Sequence, residues 1–325
     1  MSKTRLCKLL ILALSASLIL SVEPVCVWAN FMPLQVPPHS IEITADCDVI
    51  GTNQISKNGS QYIFTDNISG SIVVSLSDIT LDGNGYSLQG DQKSTGIFIQ
   101  GLKNVTITNL TINNFKYGVV FSYAAGVDGN CSNNSLISNR FTNNNVSINC
   151  YISNKITVAR NEITNSSKGI VVFDCDTMFF YGNMISNTDT TLRLTRCLNS
   201  KIYGNNFVNF NQTSVDPESN SGLIFGWSTI TWNQQGIGNY WSNYKGVDND
   251  KDCIGDEVYV ISPNDTDFYP RMLPIGIDTF LPSPNNDSAE MPLWALQIVL
   301  PLVVISLIVG GFTIYHKRKK IVFNA

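Results

Sequence analysis

Four asparagines, Asn139, Asn161, Asn183 and Asn205, recur every 22 residues, and a second set, Asn143, Asn165, Asn187 and Asn209, follows four residues behind in the same register. A unit this short cannot bury an apolar face by itself, so each copy must stack on its neighbours. Phe141, Ile163, Ile185 and Phe207 lie between the paired asparagines, and Leu136, Val158, Phe180 and Ile202 come three residues before the first of each pair. The surrounding phrases alternate apolar and polar side chains, are rich in Ile, Val, Phe, Tyr and Thr, and break at Asn, Ser, Asp and Gly. That pattern gives short strands and tight turns, not helices. Strands stacked about 4.8 Å apart put identical amides over one another, so each can accept from one side and donate to the other. Asparagine also tolerates the left-handed backbone of a sharp corner. The expectation is an all-β fold, a right-handed single-stranded parallel β-helix with coils of about 22 residues and structural ladders of asparagine, followed by one C-terminal transmembrane helix.

The ends of the chain read differently. Residues 1–29 carry Lys3, Arg5 and Lys8, then an apolar run from Leu9 to Val22, and finish at Val27-Trp28-Ala29, the pattern of a secretory signal peptide. Leu293 to Tyr315 is an almost unbroken apolar stretch long enough to span a bilayer, and His316-Lys317-Arg318-Lys319-Lys320 follows it. The predicted organisation is a signal peptide (1–29), a β-helix (30–237), a C-terminal cap (238–275), a linker (276–292), a transmembrane helix (293–315) and a basic cytoplasmic tail (316–325). Such a protein is a single-pass cell-membrane protein with an extracytoplasmic body and a cytoplasmic C-terminus. Scattered Lys and Arg and a net charge of -4 argue against a nucleic-acid partner.

Within the predicted body, Asp82-Gly83-Asn84-Gly85 reads as a turn at the start of the helix. A first full coil follows, with Leu110 and Asn114 in the two ladder positions. Asn114 precedes Asn143 by 29 residues, so about seven residues are inserted, and Ala124 to Asn130 are the expected insertion. Cys131, Cys175 and Cys197 fall eight residues before a ladder asparagine, with Ser153 on the missing rung, so they form a column, and Cys150 lies close by. In an oxidising compartment these suggest disulfides, Cys175 with Cys197 and Cys131 with Cys150. The alternative is a soft-metal column together with Met178, suited to copper(I). Asp174 and Arg196 occupy equivalent positions on neighbouring coils, with Asp176 nearby. A lyase would use such aspartates to hold Ca²⁺ and the arginine as base, whereas a glycosidase needs two free carboxyls in one groove, which the spacing does not supply. Beyond the repeats, Asp248, Asp250, Asp252 and Asp256 have the spacing of a Ca²⁺ loop, but with Cys253 at the sixth position and Tyr259 at the twelfth.

The Asp82-Gly83-Asn84-Gly85 turn, the asparagine coils and above all Asn239-Tyr240-Trp241-Ser242 through the acidic loop to Tyr269-Pro270 resemble the NosD-like parallel β-helix proteins, which belong to a wider group of carbohydrate-binding and sugar-hydrolase repeats. The resemblance covers about residues 41–275. It implies a periplasmic accessory role in delivering copper or sulfur to nitrous oxide reductase, although the only histidine after the signal and before the tail is His39. No catalytic residue carries over by motif. The sequence therefore leads to a membrane-anchored binding or scaffold module for glycans or an envelope protein, with copper-centre maturation and a polysaccharide lyase or glycosidase as the competing readings.

Overall fold

The computed structural model describes residues 40–124, 129–216 and 228–276. The predicted signal peptide, His39, the transmembrane segment and the basic tail lie outside them. Among the described residues every regular element is a strand, and no helix is long and apolar enough to cross a membrane. They form a right-handed parallel β-solenoid of about 7 turns.

Each coil contributes three strands. The first strands stack into one parallel sheet, in which Thr80–Asp82, Thr106–Thr108, Ser135–Ile137, Thr157–Ala159, Phe179–Tyr181 and Ser200–Tyr203 lie side by side. The second and third strands of each coil belong to a larger bent sheet. The register follows the sequence period. Ser135 pairs with Thr157, and Thr157 with Phe179, each 22 residues on. The step from Thr106 to Ser135 is 29, so the predicted insertion lies in that coil, after the strand Tyr117–Ser122.

Because strand side chains alternate, every second residue enters the bore, where it meets its own equivalents above and below. Leu81, Ile107, Leu136, Val158, Phe180 and Ile202 form one such stack, all of them buried. Leu88, Ile112, Phe141, Ile163, Ile185, Phe207 and Trp241 form another. Burying one such aliphatic side chain is worth about 1.5–3 kcal/mol, so the bore supplies the driving force and the corners must satisfy the backbone.

The two asparagine columns satisfy it in different ways. Asn139, Asn161, Asn183 and Asn205 are buried and point inward. The Asn161 Oδ1 accepts from both the backbone N (2.9 Å) and the Nδ2 (3.1 Å) of Asn139, and Asn183 and Asn205 do the same for the rungs before them. Each Nδ2 also reaches back to a carbonyl of the preceding coil, as from Asn161 to Leu136 O at 2.8 Å and from Asn183 to Val158 O at 2.8 Å. In the second column, Asn143, Asn165, Asn187 and Asn209 have φ of 49–55°, so they serve as left-handed corners. Their backbone N–H groups bond the next coil, as Asn143 N does to Thr164 O. Amide-to-amide contact there is limited to Asn209 Nδ2 with Asn187 Oδ1 at 3.3 Å among the described residues.

This difference gives the first prediction. Asn161→Ala strands the backbone N–H and one Nδ2 hydrogen of Asn139 in the bore wall, and should lower the unfolding free energy by about 2–4 kcal/mol. Asn165→Gly, which keeps the left-handed corner available, should shift it by less than about 1 kcal/mol. Denaturant midpoints of the two variants measure the contrast, and equal losses would refute the division of roles.

Candidate functional site

The amide ladder does not stop with the regular repeats. Asn239 continues it, accepting from the backbone N (3.1 Å) and Nδ2 (2.9 Å) of Asn205 across a 34-residue step. The segment assigned to the cap therefore begins with one more rung of the solenoid, and Tyr240–Trp241 pairs in parallel with Asn206–Phe207. Asn239 in turn has Asp267 below it. The Oδ2 of that carboxylate accepts from Asn239 N (2.7 Å), Asn239 Nδ2 (3.2 Å) and Trp241 Nε1 (3.0 Å), while its Oδ1 accepts from Tyr269 N (3.0 Å). Asp267 is fully buried, and desolvation raises its pKa in spite of these donors.

At the end of the ladder, defined packing or hydrogen-bonding partners hold Asn239, Trp241 and Ser242 of the Asn239-Tyr240-Trp241-Ser242 signature. Gly238 precedes it because a Cβ there would overlap the Asp267 carboxylate and the Tyr269 carbonyl. Trp241 stacks on Phe207 and Tyr259, each at 4.4 Å between ring centroids, and Ser242 Oγ accepts from Asn209 N at 3.1 Å. Asp267 carries no periodic signal in the sequence, only its place just before the Tyr269-Pro270 pair.

The cysteine column forms as spaced. Cys131 pairs with Ser153, Asn154 with Asp176, and Cys175 with Cys197. Cys150 lies in a neighbouring inward stack with Ile99, Phe121, Val172 and Leu194. All four thiols are buried, as is Met178, and no bridge joins them in this structure. The ladder spacing of about 4.8 Å falls within the Cα separation of about 4.4–6.8 Å that a disulfide spans. Desolvation pushes Cys197 up to about 12 and raises Cys131, Cys150 and Cys175 as well. Three of the thiols have hydrogen-bond acceptors: Ser122 O for Cys131 (3.3 Å), Phe173 O for Cys175 (3.4 Å) and Ser200 Oγ for Cys197 (3.2 Å).

On the outside of the same coils, Tyr151 and Phe173 stack at 5.5 Å, and the Arg196 guanidinium sits 4.9 Å above the Phe173 ring while pairing with Asp174. Asp174 and Arg196 both hold left-handed corners (φ 56° and 50°), which swings their side chains onto the outer surface. The predicted cross-rung pair therefore exists, and it joins an aromatic ladder. Asp176, the other aspartate of the lyase reading, accepts from Asn199 Nδ2 (2.7 Å) and Thr177 Oγ1 (3.1 Å). A separate open cleft is lined by Asn84, Asn109, Arg160 and the ion pair Arg140–Glu162; its Arg160 had no sequence signal.

In the acidic loop, Asp248, Asp250 and Asp252 bring oxygens within 4.8 Å of one another. Cys253 takes the left-handed conformation (φ 69°) that glycine usually supplies at its position. Asp256 does not join them, contrary to the spacing. Its Oδ2 accepts from Asn249 N (2.9 Å) and Nδ2 (2.7 Å), closing the loop, and Tyr259 turns inward onto Trp241. The expected four-carboxylate set is thus a set of three.

A family model described as periplasmic copper-binding protein (NosD) matches residues 40–246. No curated protein matches the chain.

Two outcomes follow from the buried groups. Replacing Asp267 by Ala removes the acceptor of four donors and should cost about 2–3 kcal/mol. The loss is local: hydrogen exchange should open residues 238–270 and leave the coils from Thr106 to Asn209 protected. Because the folded pKa of Asp267 is raised, its contribution is complete below the unfolded value and is lost as pH rises through the folded one. Acidification from neutral pH should therefore stabilise the cap by relieving the desolvation of the carboxylate, and the Ala variant should flatten that dependence. The bore thiols make the second outcome. In the native state a thiol reagent should react with Cys47 and Cys253, which are half-exposed, and reach Cys131, Cys150, Cys175 and Cys197 only at the rate of unfolding.

Proposed function

Because the chain belongs to the NosD family of periplasmic copper-binding proteins, we propose that it is an extracytoplasmic accessory scaffold, held at the membrane by a helix at Leu293–Tyr315 and working by binding instead of catalysis. The observation that carries this reading is the outer strip of Tyr151, Phe173, Asp174 and Arg196, where an aromatic stack, a cation and a carboxylate stand on neighbouring rungs of a stiff solenoid. Aromatic rings take the C–H faces of a sugar, and a paired guanidinium and carboxylate take its hydroxyls. The ligand class that fits is a glycan, free or carried on an envelope protein. The lyase reading is weakened by the same geometry, since Asp174 is engaged by Arg196 and Asp176 by Asn199 and Thr177.

The family description favours a second reading, in which this chain handles copper. Its concentrated soft donors among the described residues are Cys131, Cys150, Cys175, Cys197 and Met178. Copper(I) prefers thiolates, whereas these are thiols held protonated by burial and packed among aliphatic side chains. They do not fit a metal that must arrive and leave. The carboxylates of Asp248, Asp250 and Asp252 would suit a hard cation such as calcium, which would brace the cap and leave the strip untouched.

The test is a glycan array and an envelope-fraction pull-down with the full chain, its Phe173→Ala and Arg196→Ala variants, and Lys155→Ala as an exposed control. Each strip variant should weaken binding about tenfold, equivalent to about 1.4 kcal/mol, with the thermal midpoint little changed. Binding that is indifferent to both would overturn the strip. Stoichiometric copper on the purified chain, with the four bore thiols protected from alkylation by it, would replace this reading with the second.

A further inference from the structure

Large hydrophobic side chains that stand exposed are not spread over this molecule. Of those among the described residues, Ile50 is at the start of the solenoid, and Val247, Val258, Val260, Phe268, Tyr269 and Leu273 are all in the cap. The clustering has a simple geometric origin. Tyr259–Ser262 and Asp265–Asp267 form an antiparallel hairpin in which Tyr259 pairs with Asp267 and Val260 with Thr266. Tyr259 and Asp267 turn inward, one onto Trp241 and the other under Asn239. Strand alternation then sends their neighbours outward, and Val258, Val260 and Phe268 are 46%, 63% and 62% exposed. Soluble surfaces rarely gather apolar side chains in this way without something to cover them.

The path of the chain identifies the cover. The outgoing segment is clamped to the solenoid by Asn206, whose Nδ2 donates to Ile275 O (2.6 Å) and whose Oδ1 accepts from Ile275 N (2.8 Å). Residues 277–292 then separate the cap from Leu293, where the apolar stretch begins. Sixteen residues reach at most about 55 Å when fully extended, so with Leu293–Tyr315 as the anchor the hairpin end of the solenoid is the end held within that distance of the bilayer.

We propose that the outer face of this hairpin, with Val258, Val260 and Phe268 at its centre and Tyr269 at its edge, rests in the interface of the membrane that anchors the chain. The occupant is a zwitterionic lipid surface. Aliphatic and aromatic side chains partition into the headgroup boundary, and tyrosine favours that depth. The carboxylates of Asp248, Asp250, Asp252 and Asp256 on the same cap oppose an anionic surface. Docking fixes the solenoid relative to the bilayer, which a tether alone does not do. This inference rests on the anchor of the proposed function.

The experiment uses the full chain in nanodiscs of zwitterionic lipid, with Cys47→Ser and Cys253→Ser removing the half-exposed thiols. An environment-sensitive fluorophore is placed at Val260→Cys or Phe268→Cys, and at Ile50→Cys as the water-facing control. Docking predicts blue-shifted emission at 260 and 268, quenched at least twofold more than at 50 by lipid brominated near the glycerol end of its chains, and less of both when half the lipid is anionic. If the chain resists carbonate extraction and both positions behave like Ile50, the docking fails and the anchor stands. If the chain is extracted by carbonate, the anchor fails and the docking with it. A blue shift without quenching by brominated lipid means that protein, such as a second copy, covers the face, and overturns the lipid occupant.

Discussion

The solenoid depends on a directional line of buried hydrogen bonds. Asn161, Asn183, Asn205 and Asn239 each receive two donors on Oδ1, the backbone N–H and the Nδ2 of the rung before, in a line that starts at Asn139. A line of this kind polarises every member in the same sense. It also has to end on a group that only accepts, since another amide would leave two more donors without partners. Asp267 is that group: buried, ionisable and surrounded by four donors. The cap is therefore the terminus of the ladder's chemistry as well as a lid on the apolar bore. At the opposite end the requirement is reversed. Leu110 occupies the rung above Asn139, where its backbone N donates to Asn139 Oδ1 at 3.1 Å and no side-chain donor is needed.

How much of this the sequence reveals depends on whether a feature is periodic. The columns of Asn139 and Asn143, the inward stacks and the cysteine column are all legible because stacking repeats them every 22 residues. What a column does is less legible. Asn139 and Asn143 look equivalent in spacing, but one points its amide into the wall while the other holds a left-handed corner. Asp267 carries no periodic signal at all. It reaches the ladder through a hairpin that folds back from outside the repeat, and only the three-dimensional path brings it under Asn239. The acidic loop shows the same limit on a smaller scale. Spacing brings Asp248, Asp250 and Asp252 together, but the nearby Asn249 takes Asp256 away from them.

The cysteines show why position and chemical state need separate arguments. Their column is a consequence of register, which spacing alone gives. Their redox and metal chemistry depends on whether they are thiolates, and that depends on what surrounds them. Here the surroundings are apolar side chains, backbone carbonyls and the Ser200 hydroxyl, so burial favours the thiol over the thiolate and each behaves as a small apolar filler. A column of identical residues in a parallel helix is thus weak grounds for a metal site, because the same register that gathers possible ligands also removes them from water.

This sealing also decides where function can reside. Alternation divides every strand into an inner residue, committed to packing, and an outer one that the fold leaves largely free. Chemistry that must meet another molecule is confined to the outer columns, the corners and the ends. The corners are the most versatile of these, since a left-handed residue such as Asp174 or Arg196 breaks the alternation and carries a charged side chain over the adjacent face. Where such a corner follows an outward Phe173 on the same coil, aromatic and ionic groups meet without any change to the bore. A solenoid can therefore alter its ligand by substitutions at corners and outer positions while the amide ladder beneath stays as it is, and recognition in this chain is best sought where the period is kept but the asparagine is not.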